Sequence, residues 1–354
     1  VFRVEADKGK YKIRHLNERE QVKAKKGELE EIVDEPADVP LKSTDVDRQV
    51  LNDVLTESRV KMLWSGDSDD TTPEADRVTL YWHHRLRHAP FLWLRRLAQR
   101  GVLPKCILKV KKMPLCAACA FASAHRRNWR TKGEAPAGIR RVTDTRPGAG
   151  TSCDHLVSKQ PGLMPQSTGW LTHERFWGSV IYVDHFSSFV FSHLIKGTTS
   201  KETLESKHAY EKEAASYGVA IKSNHGDNLR FNDNNFKGDC LKSGQSISYC
   251  GVGEHHQNAI VESMIKEITY GARTVLLHAI RKWPTVITNV LWPFALQSAV
   301  HRHNRLSLDK TGRSPIEKFS GTSEEIILTD FHTWGCPVFI LDAENQTVGI
   351  GTPK

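Results

Sequence analysis

Two sets of side chains have the types and spacing to do chemistry. The first is His83, His88, Cys116 and Cys119, which follow an H-x4-H-x27-C-x2-C pattern. Two neutral imidazoles and two thiolates make the closed tetrahedral set that structural Zn²⁺ prefers. One bound Zn²⁺ would supply folding free energy that so small a module lacks. His84 is an alternative to His83, and Cys106 to either cysteine. A surface histidine cluster beside an incidental C-x-x-C would carry the same letters.

The second set is Asp154, Asp227 and Glu262. Phosphoryl transfer on a nucleic-acid backbone uses carboxylates that hold two metal ions about 3.5–4 Å apart. Hard oxygen ligands suit Mg²⁺ or Mn²⁺. On the long helix expected over 256–278, Ile260, Val261, Met264, Ile265, Ile268, Ala272, Val275 and Ala279 form one apolar stripe. Glu262 falls at the edge of that stripe, with Lys266 and Arg273 on its side. An ordinary solvated face with a Glu-to-Lys pair four residues on would read the same way.

The elements that must position these residues follow from periodicity. Residues 1–77 are dominated by charge and read as a partly disordered segment. In 78–133, Tyr81, Trp82, Leu86, Phe91, Leu94 and Leu97 recur at helical spacing, and Gly101 is a plausible helix stop. A basic linker follows over 134–149. Residues 150–322 read in the order βββαβαβα, with strands at 151–157, 178–183, 188–195, 219–223 and 246–251. Thr199 and Glu202 form a capping-box pattern that opens a helix to about Tyr217. Residues 323–354 are expected to add a small strand-rich appendage.

The chain has 354 residues and 50 Lys and Arg against 41 Asp and Glu, a formal charge of +9 that favours a polyanionic partner. Arg126, Arg127, Arg130, Lys132, Arg140 and Arg141, with Trp129 among them, suit salt-dependent, sequence-independent contacts to DNA. His301 to Arg305 form a second basic cluster, equally well placed to complement a helix dipole. No run approaches the roughly 18 apolar residues of a membrane span. No signal-peptide pattern opens the chain, and seven cysteines are too few for a disulfide scaffold. Walker A, G-x-G-x-x-G and G-x-S-x-G motifs are absent, so no small-molecule cofactor is expected. The expected location is nuclear and cytoplasmic. The chain begins at Val1, as a segment of a longer product would.

These motifs carry a family resemblance. Trp82-His83-His84-Arg85-Leu86-Arg87-His88, with Leu115-Cys116 through Cys119 to His125-Arg126, resembles the pre-integrase zinc module of copia-type retrotransposon polyproteins. Ser152-Cys153-Asp154, Val183-Asp184-His185, His225-Gly226-Asp227-Asn228 and Gln257-Asn258 through Glu262 resemble the D, D, E blocks of a retrotransposon integrase. Ile247 to Val252 and Ser314 to Gly321 agree with the same group. The resemblance spans roughly 78–340.

It implies an α/β fold: an RNase H-like integrase core, with a mixed five-stranded sheet and flanking helices, preceded by a small helical HHCC zinc module. It implies Asp154, Asp227 and Glu262 as catalytic ligands of two Mg²⁺ or Mn²⁺, with Asp184 outside the triad. It also implies double-stranded DNA as substrate, a homo-oligomer when active, and 3′-end processing followed by strand transfer. The alternative is a catalytically decayed remnant that binds zinc and DNA. The chain departs from the family pattern at Arg87, Leu229, Ala259 and Val261, where the family favours Gly or another small residue. Leu229 and Val261 adjoin two of the acids and are expected to cost activity more than binding.

Overall fold

The computed structural model describes residues 2–7, 10–15, 73–124, 144–165, 172–228, 230–250, 258–324 and 326–338. Contacts divide the chain into two units, 1–67 with 280–288, and 68–279 with 289–354. In the first, β1 (Phe2–Asp7) and β2 (Lys10–His15) form an antiparallel hairpin whose backbone register pairs Val4 with Ile13 and Glu5 with Lys12. The sequence reading of 1–77 as a charged, partly disordered segment missed these strands. The remainder of that segment lies outside the described residues.

The second unit is built on a five-stranded sheet. Its strands are β3 (Thr151–Gly162), β4 (Phe176–Asp184), β5 (Val190–Ile195), β6 (Ser223–Gly226) and β7 (Ser246–Tyr249), in the order β5-β4-β3-β6-β7. The first three are antiparallel, while β6 and β7 run parallel to β3. This mixed sheet with flanking helices is the RNase H-like arrangement expected from the sequence. The fourth strand lies three to four residues later than periodicity placed it, so it ends on the residue before Asp227.

Helices α1 (Glu74–Arg85), α2 (Phe91–Gln99) and α3 (Ala117–Ala122) precede the sheet. They bury Leu86, Leu94, Leu97 and Ile107 in one cluster with Leu306, Leu308 and Phe331. Gly101 ends α2's turn at φ +81°, as its sequence position suggested. Within the sheet region, α4 (Ser200–Ser216) and α5 (Asn234–Lys242) link the strands. Thr199 accepts from the Glu202 N–H at 3.2 Å, the expected N-cap. Tyr182, Tyr210, Phe231, Phe236 and Phe319 lie in the core cluster beneath these helices.

Three helices follow: α6 (Ala259–Lys282), α7 (Trp292–Leu306) and α8 (Pro315–Ser320). Asn304 of α7 donates to the Val190 carbonyl at 2.8 Å and accepts from its N–H at 2.9 Å. An edge strand is thereby closed to further pairing. In the expected C-terminal appendage, the described residues 326–338 hold a 3₁₀ turn at Leu328–Asp330 and no strand. They pack Phe331 on the N-terminal helices instead. Among the described residues no helix is long and apolar enough to cross a membrane.

Candidate active site and metal centre

Strand register brings the first two acids together. Ser152 of β3 pairs with His225 of the parallel β6. Two residues on, Asp154 lies within β3 and Asp227 directly follows β6, so the same register carried forward would set them on neighbouring strands about 4.8 Å apart. Helix α6 supplies the third acid. Asn258, on the residue before α6, donates its carboxamide to the Cys153 carbonyl at 3.2 Å. Glu262 lies one turn further along the same helix face.

The charges of all three acids are felt at Cys250, which follows β7. Burial raises its thiol pKa, and the charges of Asp227, Asp154 and Glu262 push it the same way. Its Sγ lies 3.6 Å from His225 Nε2. Among the described residues, neither Asp227 nor Glu262 forms an ion pair, and the three acids do not close into a group with all ligand atoms within 4.8 Å. His155, beside Asp154, bonds Thr203 at 3.0 Å, and its pKa is lowered to about 4 by burial and by Arg230, against Asp227.

Asp184 is a structural carboxylate. It is fully buried and accepts from Gly148 N–H at 2.7 Å, Ser187 N–H at 2.8 Å and the Ser187 hydroxyl at 2.6 Å. Its oxygens hold the turn between β4 and β5, in keeping with its place outside the triad.

The second site forms where α1 ends and α3 begins. His83 Nε2 lies 3.3 Å from Cys119 Sγ, and His88 Nδ1 lies 3.4 Å from Cys116 Sγ and 3.6 Å from Cys119 Sγ. The two imidazole nitrogens are 3.0 Å apart. All four ligand atoms lie within 4.8 Å of one another. Tetrahedral bonds of about 2.0–2.1 Å to nitrogen and 2.3 Å to sulfur set such N···S pairs about 3.5 Å apart, so the four donors fit zinc.

His83 directs its Nδ1 to the Ala89 carbonyl at 2.9 Å, leaving Nε2 for a metal. Burial holds the His88 pKa well below its ordinary value and favours the neutral ligand form. A hydrogen bond from Cys119 and others from His83, His84 and His88 lower the Cys116 thiol against its burial. His84 Nε2 stands 3.5 Å from Cys116 Sγ and groups with His88 and His278, whereas Cys106 joins no such group among the described residues.

The family's small residue before the second His is Arg87 here, and the turn still forms. Arg87 and His88 both take left-handed backbone, at φ 56° and 60°. That conformation costs roughly 1–2 kcal/mol per non-glycine residue. Arg87 offsets it with a guanidinium 5.3 Å over the Phe331 ring and a 3.2 Å contact to His301. Its carbonyl accepts from Arg302 at 2.8 Å.

The basic cluster at 301–305 is therefore not a surface patch. Arg302, His303 and Asn304 are buried. Arg302 holds the Arg87 and His88 carbonyls, and His303 meets Glu267 and the Ser188 carbonyl, each at 3.1 Å. Lys266 and Arg273 are exposed on α6. Arg126, Arg127, Arg130, Lys132, Arg140 and Arg141 lie outside the described residues. Sequence reasoning missed Cys250, Tyr270 and His278, and read Arg302 only as one member of a basic cluster.

No protein-family model matches the chain, and no curated protein matches it. Solved structures similar to it include the HTLV-2 integrase catalytic core domain in complex with magnesium, in its trimeric form. That core is 16% identical, with 49% of this chain and 98% of that chain covered and a TM-score of 0.34. The simian T-cell lymphotropic virus intasome, in complex with PP2A regulatory subunit B56 gamma, is 15% identical. There 77% of this chain and 80% of that chain are covered, with a TM-score of 0.39. The RNase H-like assignment rests on the sheet order and register.

Proposed function

We propose that this chain is an integrase segment of a copia-type retrotransposon, which processes the 3′ ends of element DNA and joins them to target DNA. One observation carries the reading. Asp154 of β3 and Asp227, directly after the parallel β6, each lie two residues beyond a registered pair, and Asn258 ties the start of the helix bearing Glu262 to the strand of the first acid. Three carboxylates that all act on the buried Cys250, two without an ion-pair partner among the described residues, are the kind of donors hard divalent cations take. Two Mg²⁺ or Mn²⁺ held there would activate an attacking oxygen and stabilise the leaving one. The strands and Asn258 set the spacing of the acids, and the exposed Lys266 and Arg273 offer phosphate contacts beside them. His83, His88, Cys116 and Cys119 would hold one structural Zn²⁺. The substrate is double-stranded DNA, the active form a homo-oligomer, and the location nuclear and cytoplasmic.

The test is a labelled-oligonucleotide joining reaction in Mn²⁺ with Asp154→Asn, Asp227→Asn and Glu262→Gln variants. Each is expected to abolish joining and leave DNA binding in place. Joining that survives any of the three overturns the triad. Binding without joining in the unaltered chain supports the remnant reading instead.

A further inference from the structure

Side chains from the core grip the metal knuckle at three points. Tyr270 of α6 donates its hydroxyl to the Cys119 carbonyl at 3.0 Å. His278, two turns along the same helix, lies 2.6 Å through Nδ1 from Nε2 of His88. Arg302 of α7 donates to the carbonyls of Arg87 at 2.8 Å and His88 at 3.3 Å. Gly271 leaves room for that guanidinium, since a Cβ there would sit 2.5 Å from it.

The nitrogen roles follow from geometry. His88 faces both thiols and His83 through Nδ1, so with a metal on Nδ1 its proton resides on Nε2. That proton then points at His278 Nδ1, which must accept. A ligand imidazole whose other nitrogen is held by a partner keeps its orientation and tautomer, and loss of such a partner typically costs 10–100-fold in metal affinity. The usual partner is a carboxylate or carbonyl close to the ligand. Here it is an imidazole 190 residues further along the chain, on the helix that carries Glu262 in its first turn.

We infer that His278 is a positioning residue for the zinc ligand His88, and that metal in the knuckle fixes α6, the helix that presents Glu262 to the strands. This rests on the zinc reading of His83, His88, Cys116 and Cys119. The zinc module is then a brace on the helix that carries Glu262.

The experiment titrates the full chain with zinc against a chromophoric chelator, for wild type, His278→Ala and His278→Asn. Amide hydrogen exchange across 259–278 is followed in parallel. His278→Ala is expected to weaken zinc binding by about 10–100-fold. His278→Asn places a carbonyl oxygen near the acceptor position and is expected to restore most of it, which lost packing alone would not allow. In wild type, zinc removal is expected to speed exchange along α6. That measurement needs no variant and stands even if His278→Ala folds poorly. Wild-type zinc affinity in His278→Ala, an Asn variant no better than Ala, or α6 exchange indifferent to zinc overturns the inference. A wild-type chain that takes up no zinc overturns the zinc reading itself, and this one with it.

Discussion

Asn258 donates its carboxamide to the Cys153 carbonyl at 3.2 Å, joining the start of α6 to the strand residue before Asp154. The group is buried, and its Oδ1 has no partner among the described residues. One hydrogen bond thus sets the distance between the first and third acids. A misplacement of about 1 Å can cost about 100-fold in rate. Asn258→Ala is expected to lower strand transfer by that order while leaving DNA affinity within about twofold. Asn258→Asp should be worse, because it sets a carboxylate against a carbonyl oxygen. Joining rates measured at saturating DNA separate the two effects.

Val261 was expected to mark decay beside Glu262, and the structure revises what its reversion would do. The side chain is fully buried. Removing two methyl groups from such a site costs about 2 kcal/mol through lost transfer energy and a residual cavity. Val261→Ala is therefore expected to lower stability by that amount, read from urea denaturation, with no gain in joining. Leu229 lies outside the described residues. Leu229→Gly keeps the original expectation of faster joining at unchanged affinity.

The strands β4 and β5 were legible because each is a run rich in β-branched and aromatic residues. The strand before Asp227 was less so. Val219 to Ser223 looks like a strand, yet the pairing falls on Ser223–Gly226, where Asn224 and His225 match Thr151 and Ser152. Hydrophobicity points to Ile221, whose burial belongs to the core beneath the sheet rather than to a ladder. The hairpin at 2–15 was hidden by its charges, although Val4, Ala6, Tyr11 and Ile13 alternate as a two-faced strand pair should. With His84 and Cys106 left as alternatives, the spacing pointed to His83, His88, Cys116 and Cys119 as a metal set. Their grip by Tyr270, His278 and Arg302 depends on contacts 151 to 215 residues apart in sequence, which no local pattern encodes.

A zinc module that folds on its own would unfold over 78–133 when Cys119 is replaced by Ser, and would spare the core. The shared cluster of Leu86, Leu94 and Leu97 with Leu306, Leu308 and Phe331 argues for a different outcome. Segments that share one buried cluster melt together. Cys119→Ser, or chelation of the wild type, is expected to lower a single calorimetric transition for residues 68–279 with 289–354. Two resolved transitions, with only the earlier one shifted, would restore the independent module.

His301 gives the pH dependence a sign. Its pKa is lowered to about 4, first by burial and then by Arg305 and Arg87, with Asp330 opposing. The unfolded chain takes up this proton near its ordinary value of about 6.5. The native state therefore binds fewer protons between those values. The stabilisation is whole above about pH 6.5 and is lost as pH falls toward 4. His301→Gln also loses the ring contact to Phe331 at 5.3 Å, so the comparison is one of slopes rather than absolute stability. The variant's melting temperature is expected to fall less steeply between pH 6.5 and 4 than that of the wild type. Parallel slopes would show that this imidazole is not what titrates.

Lys266 and Arg273 separate binding from chemistry. Both are exposed on α6, rotated about 40° and 20° from Glu262 at 100° per residue. A cation there reaches a phosphate lying along the helix without entering the carboxylate site. Each phosphate neutralised adds about 0.9 to the slope of log affinity against log salt. The double variant Lys266→Ala, Arg273→Ala is expected to lower that slope by about 2 and to weaken binding most at low salt. At saturating DNA its joining rate should match that of the unaltered chain, because neither residue sets the spacing of the acids. An unchanged salt slope would move the DNA off this face of α6. A lost joining rate at saturation would mean that these cations also orient the reacting phosphate.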